Sequence, residues 1–173
     1  WGSLAAFPVA WGLHILGGPA SDVLKVARRQ GVRIATAESC TGGMIAAALT
    51  DIAGSSDVFE RGFVTYSNAA KTQMLDVSPS LIDAHGAVSE EVARAMAEGA
   101  VRNSNAQCAV AVTGIAGPGG SDHKPEGRVC FGLSIRDKTT HVETVEFGAL
   151  GRAQVRQATV AYALKLLQWA LSQ

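Results

Sequence analysis

The sequence predicts an α/β fold: a three-layer α/β/α sandwich around a mixed, mostly parallel sheet, with a C-terminal hairpin followed by a helix. Segments typical of strands alternate with segments typical of helices along most of the chain. Residues 107–113 (QCAVAVT) form a near-continuous apolar run, as in a strand that is buried on both faces. Residues 129–147 resemble two strands joined by a polar turn, and a long helical pattern follows them.

The elements follow from local composition and from capping residues. β-branched and aromatic residues predict strands at 32–37, 62–67, 107–113, 129–135 and 140–147. Helical spacing of apolar residues predicts helices at 21–30, 44–49, 68–75, 89–101 and 151–171, with a short helix opening at Pro79. Ser21, Asn68 and Ser89 are the expected N-caps, and Gly31 is the expected residue after the first helix.

Composition narrows the class of function. The chain has 173 residues, of which 47% are hydrophobic and 17% charged, which excludes intrinsic disorder. Fifteen basic and fifteen acidic residues balance, so the basic excess of a general nucleic-acid binder is missing. We therefore expect a small-molecule substrate, with neither nucleic acid nor membrane as a partner. The four histidines are scattered without metal-ligand spacing, so no metal or other cofactor is expected.

Three cysteines without a C-x-x-C pair favour a reducing compartment, and a cytoplasmic location is expected. Residues 1–19 carry no Lys or Arg, and prolines and glycines interrupt their apolar stretch, unlike a signal peptide. We interpret residues 1–19 as an apolar arm or a cloning or translation remnant, and residues 20–173 as the functional domain. An apolar arm of this kind is compatible with a homo-oligomer, a dimer or larger.

The segment 36–43 (TAESCTGG) follows a predicted strand and precedes a helix. Ligands of α/β sheets bind beyond the carboxyl ends of strands, and glycines before a helix N-terminus suit an anion. Ser39 would present its hydroxyl at this turn as a nucleophile. Cys40 competes for that role, because a thiol near a helix N-terminus can be reactive. A capped strand-to-helix turn without function is the alternative.

A second loop, 113–120 (TGIAGPGG), also follows a predicted strand. Its backbone N–H groups could face a developing oxyanion. It is neither a Walker A loop nor a GxGxxG dinucleotide motif, because the spacing differs from both. Taken alone, it is equally compatible with a flexible surface loop.

Two further groups could reach the same edge of the sheet. Tyr66 ends a strand and Lys71 lies in the next helix, so a neutral Lys71 could take the Ser39 proton directly or through Tyr66. Their spacing is not the Y-x-x-x-K of short-chain dehydrogenases.

Arg152 and Arg156 lie one turn apart near the start of the last helix, where an anion would offset the unfavourable helix dipole. A core aromatic residue, a surface lysine and a solvated charged face are the structural alternatives.

These segments together resemble the CinA carboxy-terminal domain family of nicotinamide-nucleotide amidases, from about Ser21 to the C-terminus. The resembling stretches are TAESCTGG (36–43), DIAGSSDVFERGFVTYSNAAK (51–71), HGAVSEEVARAMAEGA (85–100), VTGIAGPGGSDHKPEGRV (112–129) and GRAQVRQATVAYAL (151–164). The resemblance implies hydrolysis of the carboxamide of nicotinamide mononucleotide to nicotinate mononucleotide and ammonia. A domain that binds a pyridine nucleotide without turning it over is the alternative.

By the same resemblance, Ser39 is the nucleophile and Lys71 and Tyr66 activate it. The residues expected to contact the substrate are Glu38, Thr41, Gly42, Gly43, Asn68, Thr113, Gly114, Ile115, Ala116, Gly117, Arg152 and Arg156. The chain departs from the family at 124–129, which is KPEGRV here and commonly KPVGTV in the family. The additional acid and base, Glu126 and Arg128, could alter substrate access or a subunit contact.

Overall fold

A computed structural model describes residues 18–173; the interpretation of residues 1–17 as an arm or remnant lies outside this part of the chain. Within it, the strands are β1 (Ile34–Glu38), β2 (Phe59–Val64), β3 (Cys108–Gly114), β4 (Arg128–Ile135) and β5 (His141–Glu146). The helices are α1 (Pro19–Gln30), α2 (Met44–Thr50), α3 (Asn68–Leu75), α4 (Pro79–His85), α5 (Glu90–Arg102) and α6 (Arg152–Leu171), with a 3-10 turn at Ser55–Asp57.

The strands form one sheet in the order β2-β1-β3-β4-β5. β1 pairs in parallel with both β2 and β3, whereas β4 is antiparallel to β3 and to β5. Only β4 therefore runs against the other four strands of the described sheet. In register, Glu38 lies between Val64 and Val112, so the carboxyl ends of β1, β2 and β3 meet at one edge. The predicted mixed sheet and C-terminal hairpin are confirmed.

Helices cover both faces of the sheet, as the predicted three layers require. Helices α1, α2 and α6 pack on large side chains of one face, such as Ile34, Val110 and Phe131. Helices α3, α4 and α5 pack on the other face, to which β1 and β3 contribute Ala35, Ala37, Ala109 and Ala111. At Gly132 of β4 a Cβ atom would lie 2.3 Å from the carbonyl oxygen of Ala93 in α5. Small residues on this face thus let α5 approach the backbone of the sheet.

Two predicted N-caps are wrong, one by three residues and the other by one. α1 begins at Pro19 after Gly18, so Ser21 lies inside the helix; a proline suits the first helical position because its missing N–H has no partner there. Ser67, not Asn68, caps α3, and its Oγ accepts a hydrogen bond of 3.0 Å from the Ala70 amide. The predicted cap Ser89 is confirmed at the start of α5, where its Oγ accepts from the Val92 amide.

None of the helices described between residues 18 and 173 has the length and apolar character needed to span a membrane. Over the same residues, no group of three or more His, Cys, Asp or Glu side chains is placed to hold a metal ion. The homo-oligomer and the cytoplasmic location stay predictions.

Candidate active site

Ser39 and Lys71 meet at the edge where the parallel strands end. Ser39 directly follows β1, and Lys71 lies in the first turns of α3, which follows β2. Lys71 Nζ lies 3.1 Å from Ser39 Oγ, although 32 residues separate the two in sequence. Both residues are buried: only 1% of Lys71 and 8% of Ser39 is exposed. The predicted nucleophile and its predicted base are therefore in hydrogen-bond contact.

Two backbone carbonyls fix the remaining directions of the Lys71 amine. Nζ donates to the carbonyl oxygen of Thr65 at 3.0 Å and to that of Tyr66 at 3.5 Å. A neutral amine has two N–H bonds and one lone pair. The protonated amine donates to Ser39 Oγ; in the neutral amine, with both N–H bonds on the two carbonyls, the lone pair is left to face the Ser39 hydroxyl, as a general base requires.

Burial lowers the pKa of Lys71 from its ordinary value of 10.5, and the nearby Cys40 thiol acts weakly in the opposite direction. Taking an ammonium group out of water disfavours its charged form, so the neutral amine becomes more populated near neutral pH. The environment of Lys71 therefore shifts its equilibrium toward the neutral amine, the form that can accept the Ser39 proton.

The backbone around Ser39 is held on several sides. The Ser39 amide donates to the Val112 carbonyl of β3 at 3.1 Å, and the Gly42 amide donates to the Ser39 carbonyl at 3.0 Å. The Arg156 guanidinium donates to the carbonyls of Cys40 and Thr41 at 3.0 and 3.3 Å. We expected Arg156 to bind an anion together with Arg152. Its guanidinium instead stabilises the turn that follows Ser39.

Glu38 is buried behind this turn, and its carboxylate caps α2. Oε1 accepts from the Thr41 hydroxyl at 2.6 Å and from the amides of Gly43 and Ile45 at 3.2 and 2.9 Å. Oε2 accepts from the Ala46 amide at 3.0 Å. The sequence suggests an anion cradle at this helix start, but the protein's own carboxylate occupies these donors. Glu38 and Thr41 consequently support Ser39 from inside the protein, while Gly42 remains exposed beside it.

Replacing Glu38 by alanine is expected to lower the free energy of unfolding by about 3 kcal/mol, because it leaves several buried donors without an acceptor. Denaturant titration of the two proteins measures the difference. Glu91→Ala is the matched control: Glu91 is in the first turn of α5 with a side chain 44% exposed, and its loss should cost less than about 1 kcal/mol. Equal stability losses in the two variants would contradict the capping role.

The phenol of Tyr66 lies at the rim of the site, 59% of this residue being exposed. Its oxygen accepts a hydrogen bond of 2.7 Å from Arg152, whose guanidinium also donates to the Gly117 carbonyl at 2.6 Å. Tyr66 reaches Lys71 through its backbone carbonyl, not through the phenol that we expected to relay a proton. Arg152, with the Tyr66 phenol and the Gly117 carbonyl that it holds, forms a cationic wall at the rim of the site, and the Tyr66 backbone carbonyl links this wall to Lys71.

The end of β3 and the loop that follows it are held by hydrogen bonds and by close packing against β4. The Thr113 hydroxyl donates to the Ala87 carbonyl at 2.9 Å and is buried. At Gly114 a Cβ atom would lie 2.7 Å from Val129, so this close approach to β4 requires glycine. The Ile115 amide donates to the backbone carbonyl of Arg128 at 2.9 Å, and Ala116 is buried. Of the expected substrate contacts on this loop, Gly117 is the one placed beside Arg152.

The remaining candidates differ in accessibility. Gly43 is half-buried at the N-cap of α2, and Asn68 is exposed at the first residue of α3. Cys40 is buried, and burial raises the pKa of its thiol to about 11. The thiolate is the nucleophilic form, so a raised pKa disfavours Cys40 and leaves Ser39 as the candidate nucleophile of this turn.

Sequence reasoning missed the part that Thr65 and Glu126 take in the site. Thr65 acts through its backbone carbonyl, for which a sequence holds no signal. Glu126, a departure from the family motif, was expected to alter substrate access or a subunit contact, but its hydrogen bonds were not foreseen: its carboxylate bridges the amides of Gly119 and Gly151 beside the cationic wall.

The sequence model of the CinA C-terminal domain matches residues 18–171. A CinA-like protein of Mycobacterium tuberculosis strain H37Rv is 49% identical over 156 residues, which are 90% of this chain and 36% of that protein. The chain thus spans about a third of the length of such relatives.

Solved structures agree with the fold. Competence/damage inducible protein CihA from Agrobacterium tumefaciens has 49% sequence identity and a TM-score of 0.81, over 88% of this chain and 96% of that one. A CinA superfamily protein from Klebsiella pneumoniae has 34% identity and a TM-score of 0.85, over 89% and 96% of the two chains. The match of the family model over nearly all described residues, together with these identities, shows that the chain belongs to the CinA C-terminal domain family.

Proposed function

We propose that this domain is an amidohydrolase that converts nicotinamide mononucleotide and water into nicotinate mononucleotide and ammonia. The observation that carries the proposal is the buried Ser39–Lys71 pair, in which two carbonyls direct the amine toward the serine hydroxyl. A nucleophilic hydroxyl with an oriented, desolvated base is the arrangement that acyl transfer uses. The substrate itself comes from the resemblance to nicotinamide-nucleotide amidases.

In the first half of the proposed reaction, Ser39 Oγ attacks the carboxamide carbon while Lys71 Nζ takes the hydroxyl proton. The amides of Gly42, Gly43 and Ile115 are already paired within the protein, so we assign the developing oxyanion to other backbone N–H groups of the turn after Ser39 and of the loop at 114–117. As the tetrahedral intermediate collapses, Lys71 returns the proton to the nitrogen and the C–N bond breaks. Ammonia leaves, and the nicotinoyl group stays as an ester on Ser39.

In the second half, water attacks this ester and Lys71 accepts one of its protons. Collapse of the second intermediate breaks the bond to Ser39 Oγ, and the proton on Lys71 returns to that oxygen. The released acid gives its remaining proton to water or to the ammonia, and the product is the carboxylate of nicotinate mononucleotide. The route requires neither a metal nor an organic cofactor.

Arg152 is the residue best placed for the 5′-phosphate, because it is exposed, cationic and held beside the site by Tyr66 and Gly117. The sequence suggested that the amides around residues 41–43 bind an anion, but Glu38 occupies the amides at the start of α2. We therefore assign binding of the phosphate to the cationic wall at Arg152. One guanidinium group can donate two parallel hydrogen bonds to two oxygens of a phosphate, and this would fix the orientation of the nucleotide.

The test incubates the purified protein with nicotinamide mononucleotide and follows ammonia and nicotinate mononucleotide by chromatography. We expect the two products in equal amounts. A folded protein that binds the mononucleotide without releasing ammonia would overturn the amidase proposal in favour of a pyridine-nucleotide-binding domain. Ammonia release from a different amide only would retain the reaction and replace the substrate.

A further inference from the structure

Glu126 holds two separate segments of the site together through its carboxylate. Oε1 accepts a hydrogen bond of 2.7 Å from the Gly119 amide in the glycine-rich loop. Oε2 accepts one of 2.9 Å from the amide of Gly151, the residue that precedes α6. A negative charge thus sits at the N-terminus of α6, where the helix dipole favours it.

The same corner carries the cationic wall. Arg152 is the first residue of α6, next to Gly151, and its guanidinium holds the carbonyl of Gly117. The carboxylate of Glu126 packs so closely on Gly117 that a Cβ atom there would lie 2.6 Å from it. Two backbone amides and a neighbouring arginine form an arrangement suited to an anion, and the protein's own carboxylate occupies the two amides.

We infer that Glu126 sets the charge preference of the site: it weakens binding of a phosphorylated nicotinamide nucleotide relative to the unphosphorylated nucleoside, whose only charge is that of its pyridinium ring. This inference rests on the proposed function. A phosphate approaching Arg152 meets a like charge and finds the Gly119 and Gly151 amides already paired. Neither effect acts on a nucleoside without phosphate. The Glu126 carboxylate therefore reduces the gain in affinity that Arg152 gives the nucleotide over the nucleoside.

The test compares wild type with Glu126→Gln, which removes the charge and keeps one acceptor oxygen. Inorganic phosphate is titrated into each protein while the Gly119 and Gly151 amide resonances are followed by NMR. We expect phosphate to bind about tenfold more tightly to the variant, the effect of one nearby like charge at partly exposed sites. Asp122→Asn is the matched control: it removes a charge from the same loop at an exposed position, and its φ of 51° suits asparagine.

The same proteins, each also carrying Ser39→Ala to prevent turnover, are then titrated with the mononucleotide and with its nucleoside by calorimetry. Only the mononucleotide should gain affinity in the Glu126→Gln background. Glu126→Ala, which removes both acceptors, should shift phosphate binding in the same direction, and amide spectra verify that each variant is folded.

The outcomes separate the two proposals. Tighter phosphate binding by Glu126→Gln in a protein that releases no ammonia supports the charge preference while the amidase proposal fails. Unchanged or weaker phosphate binding by Glu126→Gln, whatever the activity of the wild type, overturns the inference and leaves Glu126 as a support for the loop.

Discussion

Replacement of Ser39 by alanine is expected to reduce amide hydrolysis by about 10⁴-fold or more, with the mononucleotide still bound. Without the hydroxyl no ester to the enzyme forms, and the buried amine of Lys71 has no proton to take from residue 39. The measurement is ammonia release under single-turnover conditions, together with calorimetric binding of the mononucleotide. Retained binding shows that the loss concerns the chemical step.

Cys40→Ser is the control for this variant, because it changes the adjacent residue of the same turn. Cys40 is buried and its raised pKa of about 11 keeps the thiol protonated, so the serine variant should retain activity within about tenfold. Full activity of Ser39→Ala combined with a loss in Cys40→Ser would transfer the nucleophile to Cys40 and contradict the proposed mechanism.

Replacement of Lys71 by methionine is expected to lower kcat by about 10³-fold or more, since it removes the base that contacts Ser39. Lys71→Arg should be equally inactive: a guanidinium remains charged at every accessible pH and cannot accept the serine proton. The exposed Lys138 of the β4–β5 turn supplies the control, and Lys138→Met should leave kcat unchanged. Substantial activity in Lys71→Arg would exclude Lys71 as the base.

The same lysine should set the pH dependence of the wild type. Burial lowers the pKa of Lys71 below 10.5, so kcat/KM should rise with pH through that lowered pKa, as the amine loses its proton. Stability should follow the same group. Between the lowered pKa and 10.5 the unfolded chain binds more protons than the folded one, so the free energy of unfolding rises with pH.

Denaturant titrations of wild type and Lys71→Met at several pH values check this linkage. The wild type should gain stability relative to the methionine variant as pH rises through that interval, and the difference should be constant below it. A stability difference that is independent of pH throughout would show that the pKa of Lys71 is the same in the folded and unfolded chain, against the burial argument.

Local patterns were sufficient for most of the architecture. The strand segment at 107–113 and the hairpin at 129–147 were identified from apolar runs and a polar turn, and β3, β4 and β5 lie there within one residue. Helix ends were harder, because several residues can act as caps. Ser67 and Asn68 are adjacent and both can cap a helix, and only the path of the chain from β2 selects Ser67.

The candidate site was predictable in its residues more than in their contacts. Ser39 and Lys71 were placed together because each follows a parallel strand, and strand ends meet at one edge. The direction of each side chain was not predictable from spacing. Glu38 turns inward to cap α2, and the Tyr66 phenol turns outward to Arg152, since the partners of both are brought in by other parts of the chain.

The sequence by itself determined the α/β class, the order of the elements, and the serine, lysine and arginine that we place in the candidate site. The tertiary structure decided how each of them is used. Burial under the sheet edge lowers the pKa of Lys71, and two carbonyls orient its amine, because desolvation and hydrogen-bond geometry arise only when distant segments pack together. For the same reason, only the folded chain shows that Glu126 joins the loop at Gly119 to the start of α6.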